Sequence, residues 1–145
     1  MFRHFARILL IGALGTAFAT AALTPAAVAQ EEIVTVSLTG NATLVAKGAA
    51  VDVEVLYSCP SDLTIRGFVR VTQRVGGGRL ATGSGSGEVG VCDGAEHVGA
   101  VRAIADGNFA FKKGEAVVAE GSIQACNPDF SFCSFVEISG TVRIR

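Results

Sequence analysis

From Ile33 onward apolar and polar residues alternate with a period of two, and the 3.6-residue period of an amphipathic helix is almost absent. Val51, Val53, Val55 and Tyr57 alternate with Asp52 and Glu54, and Ile65, Val69 and Val71 alternate with Arg66, Arg70 and Thr72. Val117, Ala119, Ile123 and Ala125 share one phase, with Glu120, Ser122, Gln124 and Cys126 in the other. After a short gap Val136, Ile138, Val142 and Ile144 take the inner phase, and Cys133, Glu137, Thr141 and Arg143 the outer. Shorter β-rich runs cover 33–38, 80–84, 88–92 and 98–104. Between them lie turn residues: Cys59-Pro60-Ser61-Asp62, Gly76-Gly77-Gly78, Cys92-Asp93-Gly94, Asp106-Gly107-Asn108 and Lys112-Lys113-Gly114, with Gly85-Ser86-Gly87 expected to be loose. The pattern predicts an all-β domain of about seven to eight strands. Connections this short exclude crossover helices, so antiparallel pairing in a sandwich or small barrel is expected.

The first thirty residues follow different rules. Arg3, His4 and Arg7 precede an uncharged apolar stretch from Ile8 to Leu23. Thr24-Pro25 then interrupts it, and Ala27-Val28-Ala29 presents small residues for cleavage. This is the layout of a signal peptide over 1–29, removed between Ala29 and Gln30. The apolar run is short for a membrane anchor, so membrane contact is expected only through the leader, before cleavage. No cysteine stands at the cleavage point and no adjacent arginines occur in the leader, which leaves the general secretory route. The expected product is one secreted domain, 30–145.

Without Arg3 and Arg7 that domain carries ten basic and thirteen acidic residues, a net charge of −3. Nucleic-acid binding would need a basic field and is not expected. Arginine outnumbers lysine nine to three in an alanine-, glycine- and valine-rich chain, a bias that points to a bacterial, GC-rich source.

Four cysteines in a short exported chain read as a disulfide framework. Cys126 and Cys133 lie on the polar phase of two runs joined by a short connection, so a hairpin would bring them together. Cys126–Cys133 is therefore favoured, which leaves Cys59–Cys92. The rival is an immunoglobulin-type core bridge from Cys59 to Cys126, and the polar phase of Cys126 and the absence of tryptophan oppose it. An immunoglobulin-like antiparallel sandwich holding these two bridges is the expected architecture.

Candidate chemistry is sparse. Gly83-Ser84-Gly85-Ser86-Gly87 places glycine where a nucleophile elbow needs serine. His97 is the sole imidazole after the leader, and no catalytic residue, metal site or cofactor is predicted. Asp93, Glu96 and His97 form a mixed oxygen and nitrogen cluster without the spacing of a known metal loop. Arg66, Arg70 and Arg74 share one strand face with Phe68 and Thr72. They read as a solvated face cross-paired with acids of a neighbouring strand such as Asp52 or Glu54, the rival being an anion-binding surface. The segment Cys126-Asn127-Pro128-Asp129-Phe130-Ser131-Phe132-Cys133 is the strongest binding candidate, with Asn127, Asp129, Phe130 and Phe132 as contact residues. A disulfide-closed loop is pre-organised, and rigid apolar anchors dominate binding surfaces. The competing role for Phe130 or Phe132 is to plug one end of the domain.

The run Ala125-Cys126-Asn127-Pro128-Asp129-Phe130-Ser131 resembles a segment of the neocarzinostatin-type apoproteins that carry enediyne antibiotics. Those are exported immunoglobulin-like domains of similar length with two disulfides. In that family the corresponding cysteine pairs with an earlier one, whereas here the nearest partner follows it, and the ligand site is not carried over. More broadly, Tyr57-Ser58-Cys59, Val71-Thr72-Gln73, Gly83-Ser84-Gly85, Cys92-Asp93-Gly94 and Phe111-Lys112-Lys113-Gly114-Glu115-Ala116, with the late cysteine pair, are similar to uncharacterised secreted actinobacterial β-sandwich proteins. This resemblance implies a fold and a compartment but no activity. The expected function is a secreted, non-enzymatic binding or surface-interaction domain for an extracellular protein or small molecule. Its alternatives are a small-molecule carrier of the chromophore-binding type, or an inhibitor that inserts the 126–133 loop into a secreted hydrolase.

Overall fold

A computed structural model of the chain describes residues 34–145. The leader read over 1–29 lies outside the described residues. Seven strands follow one another: β1 (Thr35–Val45), β2 (Ala50–Ser58), β3 (Thr64–Val75), β4 (Arg79–Gly90), β5 (Glu96–Ala105), β6 (Ala116–Cys126) and β7 (Cys133–Ile144). A single 3-10 turn, Ala46–Gly48, joins the first two. The inner phases are those expected: Val51, Val53, Val55, Ile65, Val69, Val71, Ala119, Ile123 and Ala125 are all fully buried.

The two-sheet immunoglobulin-like sandwich is not what forms. The strands close into a barrel in the order β1-β2-β5-β4-β3-β6-β7. Seven is an odd number, so antiparallel pairing cannot run all the way round, and β7 meets β1 in parallel through Asn41↔Arg143 and Ala42↔Ile144. The other seam is the short β4–β5 pairing at Gly83↔Ala105 and Ser84↔Ile104. Between them, β3 and β4 pair in register from the glycine turn to Arg66↔Glu88, and after a bulge at Val89 the ladder ends at Ile65↔Gly90. That long hairpin links what would otherwise be two separate sheets.

The expected looseness of Gly85-Ser86-Gly87 is likewise corrected, because all three lie within β4. A Cβ on Gly85 would collide with the Arg102 carbonyl, and one on Gly83 would lie 2.6 Å from the Ile104 carbonyl and 2.9 Å from the Phe111 ring. Glycine here lets β5 and Phe111 approach the sheet closely.

The pairing directions divide the connections between two ends. At one end lie the start of β1, the β2–β3, β4–β5 and β6–β7 connections, and both disulfides. The favoured pairing forms, Cys126–Cys133 across the hairpin and Cys59–Cys92 between the remaining two, with Cα separations of 4.2 and 5.0 Å. The opposite end has no covalent staple. It is stopped by Phe111, 2% exposed, whose N–H donates to the Gly48 carbonyl. Gln73, the one buried polar residue among those described, holds the same segment. Its amide donates to the Lys112 carbonyl at 2.8 Å and accepts from the Lys112 N–H at 2.7 Å.

Candidate functional site

β6 ends at Cys126 and β7 begins at Cys133, directly opposite in register, so the disulfide closes a six-residue loop on the outer face of the barrel. Within the loop, Asn127 uses its backbone N–H, its amide donor and its amide oxygen together. They bond to the Phe132 carbonyl (3.1 Å), the Ser131 hydroxyl (2.8 Å) and the Phe132 N–H (3.0 Å). The Asp129 carboxylate accepts from the Ser131 N–H (3.2 Å) and the Ser131 hydroxyl (3.0 Å). Asn127 through its amide and Asp129 through one carboxylate oxygen thus brace the loop from within. Their place is in its scaffold.

What the scaffold displays is apolar. Phe130 is 71% exposed and Phe132 48%, so neither plugs the barrel. Phe130 also occupies the left-handed region (φ 58°), which costs a bulky side chain roughly 1–2 kcal/mol. The Phe130 N–H donates to the Asn127 carbonyl and holds it there. Two further exposed phenylalanines extend this surface. Phe135 lies across from Gln124, and Gln124 from Arg66; one step on, Phe68 faces Ser122 and Ser122 faces Glu137. Four of the six phenylalanines among the described residues therefore share one outer face within a few residues of the disulfide. Phe68 and Phe135 both stand in the polar phase of their strands, the sequence signal that marks them.

Between Arg66 and the loop runs a groove of about 370 Å³. Thr64 and Arg66 of β3, Gln124 and Cys126 of β6, and Asn127, Pro128 and Phe130 of the loop line it. Gln124 also lays its amide against the bridge, 2.9 Å from the Cys126 sulfur.

The arginine row is placed differently from expectation. β3 is flanked by β4 and β6, so the acids opposite Arg66 and Arg70 are Glu88 and Glu120. Asp52 instead receives a bidentate pair from Arg102 at 2.7 and 2.8 Å. Asp93 and His97 meet at 2.7 Å, and that hydrogen bond, with a second from the Ala95 N–H, holds the Asp93 carboxyl below the usual carboxylate range. Glu96 precedes His97 on the same strand and so projects from the other face. Beneath them Tyr57 donates its hydroxyl to the Val91 carbonyl, and burial, more than the nearby Asp93 charge, pushes its phenol up.

Comparison with protein-family models, with curated proteins and with solved structures finds no match to this chain. The case for function therefore rests on the loop and the face beneath it.

The Ser131 hydrogen bonds, N–H first and hydroxyl second, lower the Asp129 carboxyl below the usual carboxylate range. A depressed folded-state value means that these bonds are intact at neutral pH and are lost only as the pH falls through it. The Ser131 amide shift, followed by NMR, should therefore titrate at a lower pH than an unstructured aspartate would, with the barrel amides unchanged. Titration in the ordinary range would show the loop to be slack.

Proposed function

We infer that this is a secreted, non-enzymatic binding domain whose contact surface is the Cys126–Cys133 loop with the face of Phe68, Phe130, Phe132 and Phe135. The observation that carries the reading is the division of labour inside the loop: polar side chains hold it rigid while both phenylalanines stand in water. Displaying large apolar groups costs solubility, and ordering them beforehand lowers the entropy lost on binding. Two disulfides fit an oxidising compartment, which supports export through the leader. The strand order supports an immunoglobulin-like origin despite barrel closure, since β1-β2-β5-β4 and β3-β6-β7 reproduce the A-B-E-D and C-F-G groupings.

A double substitution, Phe130→Ser with Phe132→Ser, is expected to leave the thermal midpoint within a few degrees and to abolish partner capture. The measurement is a parallel pull-down from culture supernatant with the original and the substituted domain, read for proteins and small molecules. Equal capture by both would overturn the assignment of the surface. Hydrolytic turnover lost on substituting His97 or Asp93 would overturn the non-enzymatic reading.

The groove favours one second reading, a carrier of small molecules. Its volume lies within the range of small-molecule sites, and its lining combines the Arg66 charge with the apolar Pro128 and Phe130. Organic extraction of the secreted protein should then release a bound compound.

A further inference from the structure

β7 pairs with β6 along its whole length, but on its second edge β1 joins it only at Arg143 and Ile144. β1 in turn pairs with β2 from Thr35 to Leu38 and then bulges between Leu38 and Ala42. Below the parallel closure, no described strand pairs with the second edge of β7 over 133–139. Every second residue there turns its backbone N–H and C=O toward that edge.

The gap between the lips is a slot of about 320 Å³, lined by 36–38 and Gly40 of β1 and by 137–141 of β7, so it borders the upper part of this edge. Val36 and Leu38 line it, and they and Val136, the β7 residue just before it, are half-buried hydrophobics packed against the core. Long edges of this kind are normally blunted by lysine, proline or a bulge. β1 carries its bulge and Gly40 at φ 82°. The run Cys133-Ser134-Phe135-Val136-Glu137-Ile138-Ser139 contains neither lysine nor proline, and its register with β6 is unbroken.

We propose that this edge of β7 is a strand-addition site that takes an extended peptide segment of a partner protein. The two lips choose the occupant. β1 stands alongside, with Leu38 close to Gly140, so the edge of a second folded barrel would meet it first, and the occupant proposed is a single extended segment. The segment's inward side chains would be apolar, to meet Val36, Leu38 and Val136. Its outward ones would include a cation, because Glu137 is the one charge on the β7 lip. The chain's own Gln30-Glu31-Glu32 region has the wrong sign for that position. This surface is separate from the loop, and neither reading depends on the other.

The probe is a blocked hexapeptide of alternating lysine and valine, titrated into the purified domain and followed by NMR and amide hydrogen exchange. Amides of 133–139 should gain protection. The same peptide with alternate backbone N-methylation should bind roughly tenfold more weakly or not at all, as loss of at least one net hydrogen bond requires. Glu137→Lys should reverse the preference between the lysine peptide and its glutamate counterpart. Phe130→Ser with Phe132→Ser should leave peptide binding unchanged, which separates this site from the loop. No binding at millimolar peptide, equal binding of the N-methylated form, protection elsewhere than β7, or pairing of two domains through β7 would each overturn the proposal.

Discussion

Replacing Gln73 with leucine is expected to lower unfolding stability by about 2–4 kcal/mol, with the urea midpoint shifted and the slope unchanged. Gln73 is completely buried and bonds in both directions to the Lys112 backbone. Leucine fills a similar space but leaves an N–H and a C=O without partners, each worth about 1–3 kcal/mol when stranded away from water. The segment so released carries Phe111, the apolar stop of the unstapled end. Gln73→Glu sharpens the test. Its carboxylate still accepts from the Lys112 N–H but faces the Lys112 carbonyl with a second acceptor, so it too should be destabilised at neutral pH. Acid should restore part of the loss by protonating that oxygen. Far-UV circular dichroism during urea titration reads both variants, and an unchanged midpoint for Gln73→Leu would remove Gln73 from any structural role.

The two disulfides should separate stability from presentation. Cys59–Cys92 spans 33 residues and Cys126–Cys133 only 7. Loop-closure entropy then gives the first about 4 kcal/mol and the second about 2–3 kcal/mol. Alanine at both Cys59 and Cys92 is expected to lower the thermal midpoint by roughly 15 °C. That bridge also lies beside the hydrogen bonds that gather the same end, Tyr57 to Val91 and Gly94 to Cys59. Alanine at both Cys126 and Cys133 should cost less in stability and more in binding, because Phe130 loses the closure that keeps it left-handed. Calorimetry gives the first comparison, and partner capture by the two variants gives the second. Greater destabilisation from opening the shorter loop would show that the Phe loop anchors the fold rather than rides on it.

Strand content was legible because a half-buried strand must alternate, and β2, β3, β6 and β7 do so over nearly their whole length. The same phase information favoured Cys126–Cys133, since side chains on one face of a hairpin meet across it, and Cys59–Cys92 followed by elimination. It fails at β4, where the glycines suggest slack and the structure shows strand. A glycine that admits a neighbouring carbonyl and one that loosens a loop look alike until the neighbour is known. Two further residues were visible as phase errors: Gln73 among the inward positions of β3, and Phe135 among the outward positions of β7.

Local pattern by itself determined that the chain makes strands and which faces are buried, and it favoured the Cys126–Cys133 closure around a loop carrying two phenylalanines. Those are properties of residues close in sequence or sharing a period. Tertiary structure alone decided that the strands close into a barrel, that β3 lies between β4 and β6 rather than beside β2, and that among the described residues β1 meets the second edge of β7 only at Arg143 and Ile144. It also decided that Asn127 and Asp129 face inward to the loop while Phe130 and Phe132 face water. Each of these depends on which distant segments become neighbours, and alternation of hydrophobicity is the same whichever strand lies alongside.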